Sequence, residues 1–352
     1  MKKAITIYDI AREAKVSPAT VSRVLSENPA VRPSTRAKVL SSIDELHYLP
    51  DISAQRLNSR ENHTIGIITP SVKNPYFSTL FSAVNDTAIE HGYSTWLHQF
   101  PSQNNIVSVG LVKTLINQRL SGVIISGGFS ENELSYLRHA VSMLQEYMPV
   151  VTISSPVQDI DCLVLSNDLS YAIEHIVKHL HTLGHTKIAF LGGSGPDLET
   201  FSRGRAFLNT LQELDLPDIK EYHSYGGFDV PSSIRSLSAM LNSLSKENYP
   251  TALVCFNDLV AIGALQELSR RGLSVPKDIA VTGCDNIFFS QYTSPPLTTI
   301  DLKPEVIASD ATEAIITSPD STRQNLIQHY EAPLVIRKSC GLNYGTRKFS
   351  NE

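Results

Sequence analysis

The sequence predicts an all-α helix-turn-helix headpiece followed by an α/β core of two doubly wound parallel-sheet subdomains. Three observations carry this. The 352 residues suffice for two or three domains at ~150 residues each. The first sixty residues show only helical periodicity, whereas from residue 61 onward short apolar runs alternate with amphipathic stretches. Charge divides at the same place: ten Lys/Arg stand against six Asp/Glu in residues 1–60, and twenty against twenty-nine in residues 61–352. A small basic head on a larger acidic body suits a head that meets a polyanion, a signal hidden in the overall charge of −5.

Composition excludes other classes. With 41% hydrophobic and 18% charged residues, the chain is neither disordered, collagen-like nor a long coiled coil. No apolar run approaches the ~18 residues of a membrane span. Asp9, Arg12, Glu13 and Lys15 interrupt any apolar stretch after Met1-Lys2-Lys3, so no secretory signal and a cytoplasmic location are expected. Cys162, Cys255, Cys284 and Cys340 are scattered without a CxxC pair and read as small buried hydrophobes.

The first helix is expected to start at Thr6, with Asp9 three residues on as a capping-box partner and Ile7, Ile10, Ala11 and Ala14 on one face. The pattern breaks at Ala14–Ser17 and restarts with Ser17 as N-cap and Pro18 at the first helical position. Val21, Val24 and Leu25 form the stripe of this second helix. A third runs from about Pro33 to His47 with Val39, Leu40, Ile43 and Leu46 buried. Two short helices across a tight turn, buttressed by a third, make a helix-turn-helix whose second helix enters the major groove. Its outward positions are Pro18, Ala19, Thr20, Ser22 and Arg23. Ser17, Thr20 and Ser22 carry hydroxyls suited to phosphate oxygens, and Arg23 can fork onto guanine O6 and N7. Pro18 and Ala19 read only shape or a thymine methyl.

In the body, residues 64–70, 94–100, 122–128, 149–154, 187–193, 251–256 and 279–283 read as buried strands. Helical stretches at 76–91, 170–184, 203–214 and 257–272 lie between them. Near-continuous apolar strands alternating with helices mean parallel sheets covered on both faces. Residues 61–165 and 166–297 look like two similar rounds, so a cleft between two subdomains is expected, with ligands at the carboxyl ends of strands. Asn257-Asp258 and Asp285-Asn286 follow such strands, and Arg203 is expected to open a helix after LGGSGPDLETFS. Asn, Asp and Arg side chains bind hydroxyl pairs, and Tyr76, Phe77 and Phe228 offer flat faces for a ring. Taken one at a time, each reads first as a helix cap, an ion pair or core packing.

Enzyme motifs are missing. LGGSGPD at 191–197 is not GxGxxG and has no P-loop Lys, and no GxSxG occurs. His175, His179, His181 and His185 cluster in sequence but lack an HExxH pattern and read as structural. No catalytic residue, metal or cofactor is expected.

The stretch TIYDIAREAKVSPATVSRVLSENPAVRPSTRAKVLSSIDELHYLP resembles the DNA-binding headpiece of the LacI/GalR family of bacterial transcription repressors over about fifty positions. That resemblance implies base reading by Pro18, Ala19 and Arg23, and backbone contacts from Thr6, Ser17, Thr20, Ser22, Asn28 and Tyr48. It also implies a hinge helix over residues 50–61, with Leu57 as a minor-groove wedge. Gln55 stands where an Arg is usual, with Arg56 next to it. Further on, NPYFSTLFSAV, SRGRAF, CFNDLVAIGALQELSRRGLSVPKDIAVTGCDN and PPLTTI resemble the family's effector core, which is similar to periplasmic sugar-binding proteins. The implied domains are a headpiece at 1–49, the hinge, and a core at 62–352. The core divides into about 62–165 plus 298–328 and about 166–297 plus 329–345.

The resemblance puts Arg203, Asn257 and Asp285 on polar effector contacts and Tyr76, Phe77 and Phe228 on ring-packing positions. Ser154, Cys284 and Asn286 depart from residues common there, which bears on ligand identity. The tail CGLNYGTRKFSNE has no leucine heptads, so a homodimer is expected, not a tetramer. The expected function is a repressor on pseudo-palindromic operator DNA, controlled by a sugar or sugar phosphate. The alternatives are a purine-responsive regulator of the same architecture, or a solute-binding protein of a transport system. The latter needs a signal peptide and no headpiece, the reverse of this chain.

Overall fold

Helix α1 (Ile7–Glu13) begins where Asp9 reaches back to its cap: the carboxylate accepts the Thr6 N–H at 2.9 Å and the Thr6 hydroxyl at 2.8 Å. Helix α2 (Pro18–Leu25) follows one turn later, with Ser17 Oγ accepting the Thr20 N–H at 3.1 Å. Helix α3 (Pro33–Glu45) closes the bundle. Ile10, Ala11, Ala14, Val21, Val24 and Val39 form its core, with Ile7, Leu25, Ile43 and Leu46 packed at the margin. Leu40 corrects the expected third stripe: it is exposed, and Ser42 is buried instead. Ser42 lies three residues after Val39, on the same face, and donates its hydroxyl to the Lys38 carbonyl, whereas Leu40 is turned a quarter of a helix away. This computed structural model describes residues 5–25, 28–46, 63–100, 106–193 and 198–341. Tyr48, Leu57 and the hinge at 50–61 lie outside the described residues.

The chain divides into two units at Asn62/His63. The second contains two parallel sheets. The first sheet is built from β1 (Thr64–Thr69), β2 (Ser94–Gln99), β3 (Gly122–Ser126), β4 (Val150–Ile153), β5 (Leu163–Asn167) and β11 (Leu326–Tyr330), in the order β11-β5-β4-β3-β1-β2. The second is built from β6 (Ile188–Leu191), β7 (His223–Ser224), β8 (Ala252–Cys255) and β9 (Ala280–Thr282), in the order β7-β6-β8-β9. A short antiparallel pair, β10 (Thr299–Ile300) with β12 (Leu334–Val335), lies beside β9 through a bridge from Thr298 to Thr282.

The reason for near-continuous apolar strands is visible in the pleat. Ile68, Val123, Ile125, Val150 and Val164 face one core cluster, and Ile65, Ile67, Ile124, Val151 and Leu165 face another. The second sheet repeats this, with Ile188, Phe190 and Val254 on one side and Ala189, Leu191, Leu253 and Val281 on the other. Helices α4 (Pro75–Glu90), α5 (Val109–Asn117), α6 (Glu131–Gln145) and α11 (Pro304–Thr317) cover the first sheet. Helices α7 (Leu169–Thr182), α8 (Leu198–Glu213), α9 (Val230–Ser243) and α10 (Asp258–Arg270) cover the second. All four cysteines are buried, and none forms a disulfide. Each histidine of the 175–185 cluster is accommodated separately. The His175 ring lies tilted against Tyr171, centroids 3.9 Å apart, His179 Nε2 meets Cys340 Sγ at 3.4 Å, and His185 Nδ1 meets Thr251 Oγ1 at 3.1 Å. His181 is half-buried.

Candidate functional site

On the headpiece, burial of Val21 and Val24 turns Ala19, Ser22 and Arg23 outward, with Pro18 and Thr20 half-buried beside them. Ser17 and Thr20 join their hydroxyls at 2.9 Å at the start of α2. Thr6 is exposed at the cap of α1. Asn28 is partly occupied in its own loop: Oδ1 accepts the Ala30 N–H at 2.9 Å, and its carbonyl accepts Arg36 Nη2 at 2.7 Å.

In the core unit, a cleft of about 1210 Å³ opens at the carboxyl ends of the strands of both sheets. Its lining includes all six core side chains singled out from sequence: Tyr76, Phe77, Arg203, Phe228, Asn257 and Asp285. They come from five separate segments, so only the fold brings them together. Because parallel strands deliver the chain to this edge, helices start there too. The N-caps Asn74 of α4, Ser130 of α6, Asp229 of α9 and Asn257 of α10 all line the cleft.

The wall from the second sheet is charged and carries internal hydrogen bonds. Arg203, 3% exposed, donates Nη1 to the Phe256 carbonyl, and its guanidinium carbon lies 4.0 Å from the Phe256 ring centroid. Phe228 meets the same ring edge-on at 4.9 Å. Asn257 Oδ1 accepts the Val260 N–H at 2.8 Å, and its Nδ2 donates to the Phe228 carbonyl at 3.1 Å, so it holds the aromatic wall as well as the helix start. Asp229 is held below the usual carboxylate range by hydrogen bonds from Ser232. Asp285 is 6% exposed and sits at φ 117°, followed by Asn286 at φ 54°. Two consecutive left-handed non-glycine residues cost ~1–3 kcal/mol each and persist only where neighbours enforce them.

The wall from the first sheet differs. Tyr76 and Phe77 present rings 5.1 Å apart, edge to face. Below them Ser126, Ser154 and Asn167 stand at or just past the ends of the adjacent strands β3, β4 and β5. Ser126 Oγ and Asn167 Nδ2 are buried and have no hydrogen-bond partner among the described residues. Sequence reading missed Ser126, Asn167 and the Phe256 ring. The available signal was a polar residue closing an otherwise apolar parallel strand, at the edge where ligands bind. Two neighbours of the expected cleft residues lie elsewhere. Asp258 is fully buried behind the wall, since one step along α10 turns it away from Asn257. Asn286 faces Arg337, whose Nη2 donates to its Oδ1 at 2.8 Å.

Comparison with known proteins agrees with this two-part organisation. Residues 6–51 match the family described as bacterial regulatory proteins, lacI family, and residues 177–340 match the periplasmic binding protein-like domain. The chain is 32% identical to catabolite control protein A of Priestia megaterium, over 84% of this chain and 87% of that one. It is 30% identical to the HTH-type transcriptional repressor PurR of Mannheimia succiniciproducens, over 95% and 98% respectively. Among solved structures, the lac repressor dimer bound to operator and the anti-inducer ONPF is similar, with a TM-score of 0.84 and 26% identity over 96% of this chain and 99% of that one. These relatives are transcriptional regulators, not enzymes. No helix among the described residues is long and apolar enough to cross a membrane.

Proposed function

The chain belongs to the LacI family of bacterial regulatory proteins, and from that premise we propose that it is a homodimeric repressor of pseudo-palindromic operators whose cleft takes a carbohydrate effector. The observation that carries the effector reading is the meeting of six side chains from five segments on one cleft. The carbohydrate assignment rests on the chemistry of that cleft. Aromatic rings share the lining with neutral hydroxyl and amide groups, of which Ser126 Oγ and Asn167 Nδ2 have no partner among the described residues. A ring carrying several hydroxyls satisfies both.

On DNA, Arg23 reads a guanine, Pro18 and Ala19 read shape or a thymine methyl, and Thr6, Ser17, Thr20, Ser22, Asn28 and Tyr48 contact the backbone. Leu57 from each copy wedges the central step. A second copy of the chain is the partner for the exposed ring cluster of Phe288, Phe289 and Tyr292. The similar lac repressor was solved as a dimer on operator.

Thermal unfolding of the full-length protein with D-glucose, cellobiose, D-glucose 6-phosphate and hypoxanthine tests the effector class. A bound ligand at 100 times its Kd stabilises by about 2.7 kcal/mol. A shift with either free sugar or with the sugar phosphate supports the proposal, and a shift with hypoxanthine alone replaces it with a purine-responsive regulator. For the headpiece, Arg23→Ala should cost ~1–3 kcal/mol and relax one base position in selected duplexes. An equal loss on every sequence would remove Arg23 from base reading.

A further inference from the structure

We propose that Asp258 is a positioning residue for the cleft: its carboxylate fixes the segment 285–292, aiming Asp285 into the cleft and setting the pose of the ring cluster at Phe288, Phe289 and Tyr292. The proposal rests on the reading of the cleft as the effector site.

Asp258 is the first residue of α10 and is fully buried. Its Oδ2 accepts the Ile287 N–H at 2.9 Å and the Ser290 hydroxyl at 2.5 Å, and its Oδ1 accepts the Thr299 hydroxyl at 2.5 Å. A buried carboxylate without an ion pair is costly unless its lone pairs are filled. Here the fillers are neutral donors from one continuous loop and the strand behind it. Arg337, the nearby cation, is engaged elsewhere, on Asn286 Oδ1 and on the Leu297 carbonyl at 2.8 Å. The space is tailored as well: a Cβ on Gly283 would stand 2.1 Å from Asp258 Oδ1.

The segment needs such an anchor. Asp285 and Asn286 hold left-handed backbone immediately before Ile287. They are also held by the Asp285 N–H on the Ile300 carbonyl at 3.0 Å, the Asn286 N–H on Thr299 Oγ1 at 3.4 Å and Arg337 Nη2 on Asn286 Oδ1 at 2.8 Å. The Thr299 hydroxyl is itself donated to Asp258, so Asn286 through Thr299, and Ile287 directly, lead to one carboxylate. Beyond Ile287, the rings of Phe288, Phe289 and Tyr292 are more than half exposed, and Ser290 is the buried residue between them. Its anchor is again Asp258. A single side chain therefore ties the cleft residue to the exposed rings.

The test is hydrogen exchange on the full-length protein without ligand, which makes it independent of effector identity. Asp258→Ala should speed exchange in the peptide spanning 284–294 by about tenfold or more, while peptides from β8 and α7 keep their protection. Asp258→Asn, which retains an acceptor oxygen for Ile287 and Ser290, should stay within about threefold of the wild type. Ser290→Ala with Thr299→Val leaves the carboxylate in place and should loosen the same peptide alone. If Asp258→Ala leaves 284–294 unchanged, or if exchange rises uniformly across the core in both the Ala and the double variant, the positioning role is wrong. Repeating the four-probe melting panel on Asp258→Ala adds the functional arm. Any probe that shifts the wild type should lose at least about tenfold in affinity, as it does in Asp285→Ala. A wild type that answers none of the probes, with the exchange pattern as expected, would remove the effector reading and leave the anchor standing.

Discussion

The two walls of the cleft are built on opposite terms. On the first sheet's side, Ser126, Ser154 and Asn167 are neutral, and two of their polar atoms have no partner among the described residues. On the second sheet's side, Arg203 Nη1 donates to the Phe256 carbonyl, and Asn257 both caps α10 and donates to the Phe228 carbonyl. Behind that side Asp258 adds a further set of bonds. Preorganised groups hold a ligand without reorganising, while unsatisfied ones gain most when it arrives. The difference teaches that the second wall orients and the first wall rewards occupancy.

Substitutions can break this comparison, and the largest effect is expected at Asp285. Asp285→Ala should weaken the effector by ~1.5–3 kcal/mol, the range for a hydrogen bond to a charged group. Titration calorimetry with whichever probe stabilises the wild type reads it, and an unchanged Kd would detach Asp285 from the ligand.

Next comes acidity behind the second wall. Burial pushes the Asp258 carboxyl up to about 6, against the pull of its three hydrogen bonds and of Arg337. The folded chain thus holds this proton more tightly than the unfolded one, whose carboxyl keeps its usual value of ~3.9. Ionisation therefore costs stability, which falls as pH rises from about 4 through about 6 and is level above. Asp258→Asn should melt above the wild type by roughly 2–4 °C at pH 8 and lose that advantage by pH 4.5. The Cys255 thiol, itself raised by burial, and the Arg337 guanidinium are charged or titratable neighbours. The advantage should persist in a Cys255→Ala background.

Asn257→Ala should cost ~1–2 kcal/mol in urea unfolding through loss of the α10 cap. It should also loosen Phe228, whose carbonyl it holds. The smallest effect sharpens the contrast from the other wall. Ser126→Ala removes a hydroxyl that has no partner among the described residues, so unliganded stability should hold or rise slightly. Effector affinity should fall by ~0.5–1.5 kcal/mol. A loss of stability instead would mean that the first wall is bonded like the second.

Much of this was legible in the chain. Strands β1, β3, β4, β6, β8 and β9 announced themselves as apolar runs because both faces of each are buried; β2, an edge strand with no buried side chain, was read as well, whereas the buried β5 was not. Strand β11, LIQHY, did not, since it is an edge strand with most side chains exposed. Strands β7, β10 and β12 are two residues each and exist only through their pairing. Leu40 shows the limit of stripe reading on a helix, where a neighbouring serine took the buried place.

The sequence by itself determined the three headpiece helices, the strand-helix alternation of the core with seven of its strands, the outward face of α2 and six residues of the cleft. Periodicity, caps and local spacing are encoded between neighbours, so a linear reading reaches them. Only the tertiary structure decided that Asn257 faces the cleft while Asp258 turns inward, that Ser126 Oγ and Asn167 Nδ2 have no partner among the described residues, and that one carboxylate serves Ile287, Ser290 and Thr299. Those outcomes depend on which groups arrive from distant segments to fill each lone pair. A buried polar atom's partners are set by three-dimensional packing, not by its neighbours in sequence.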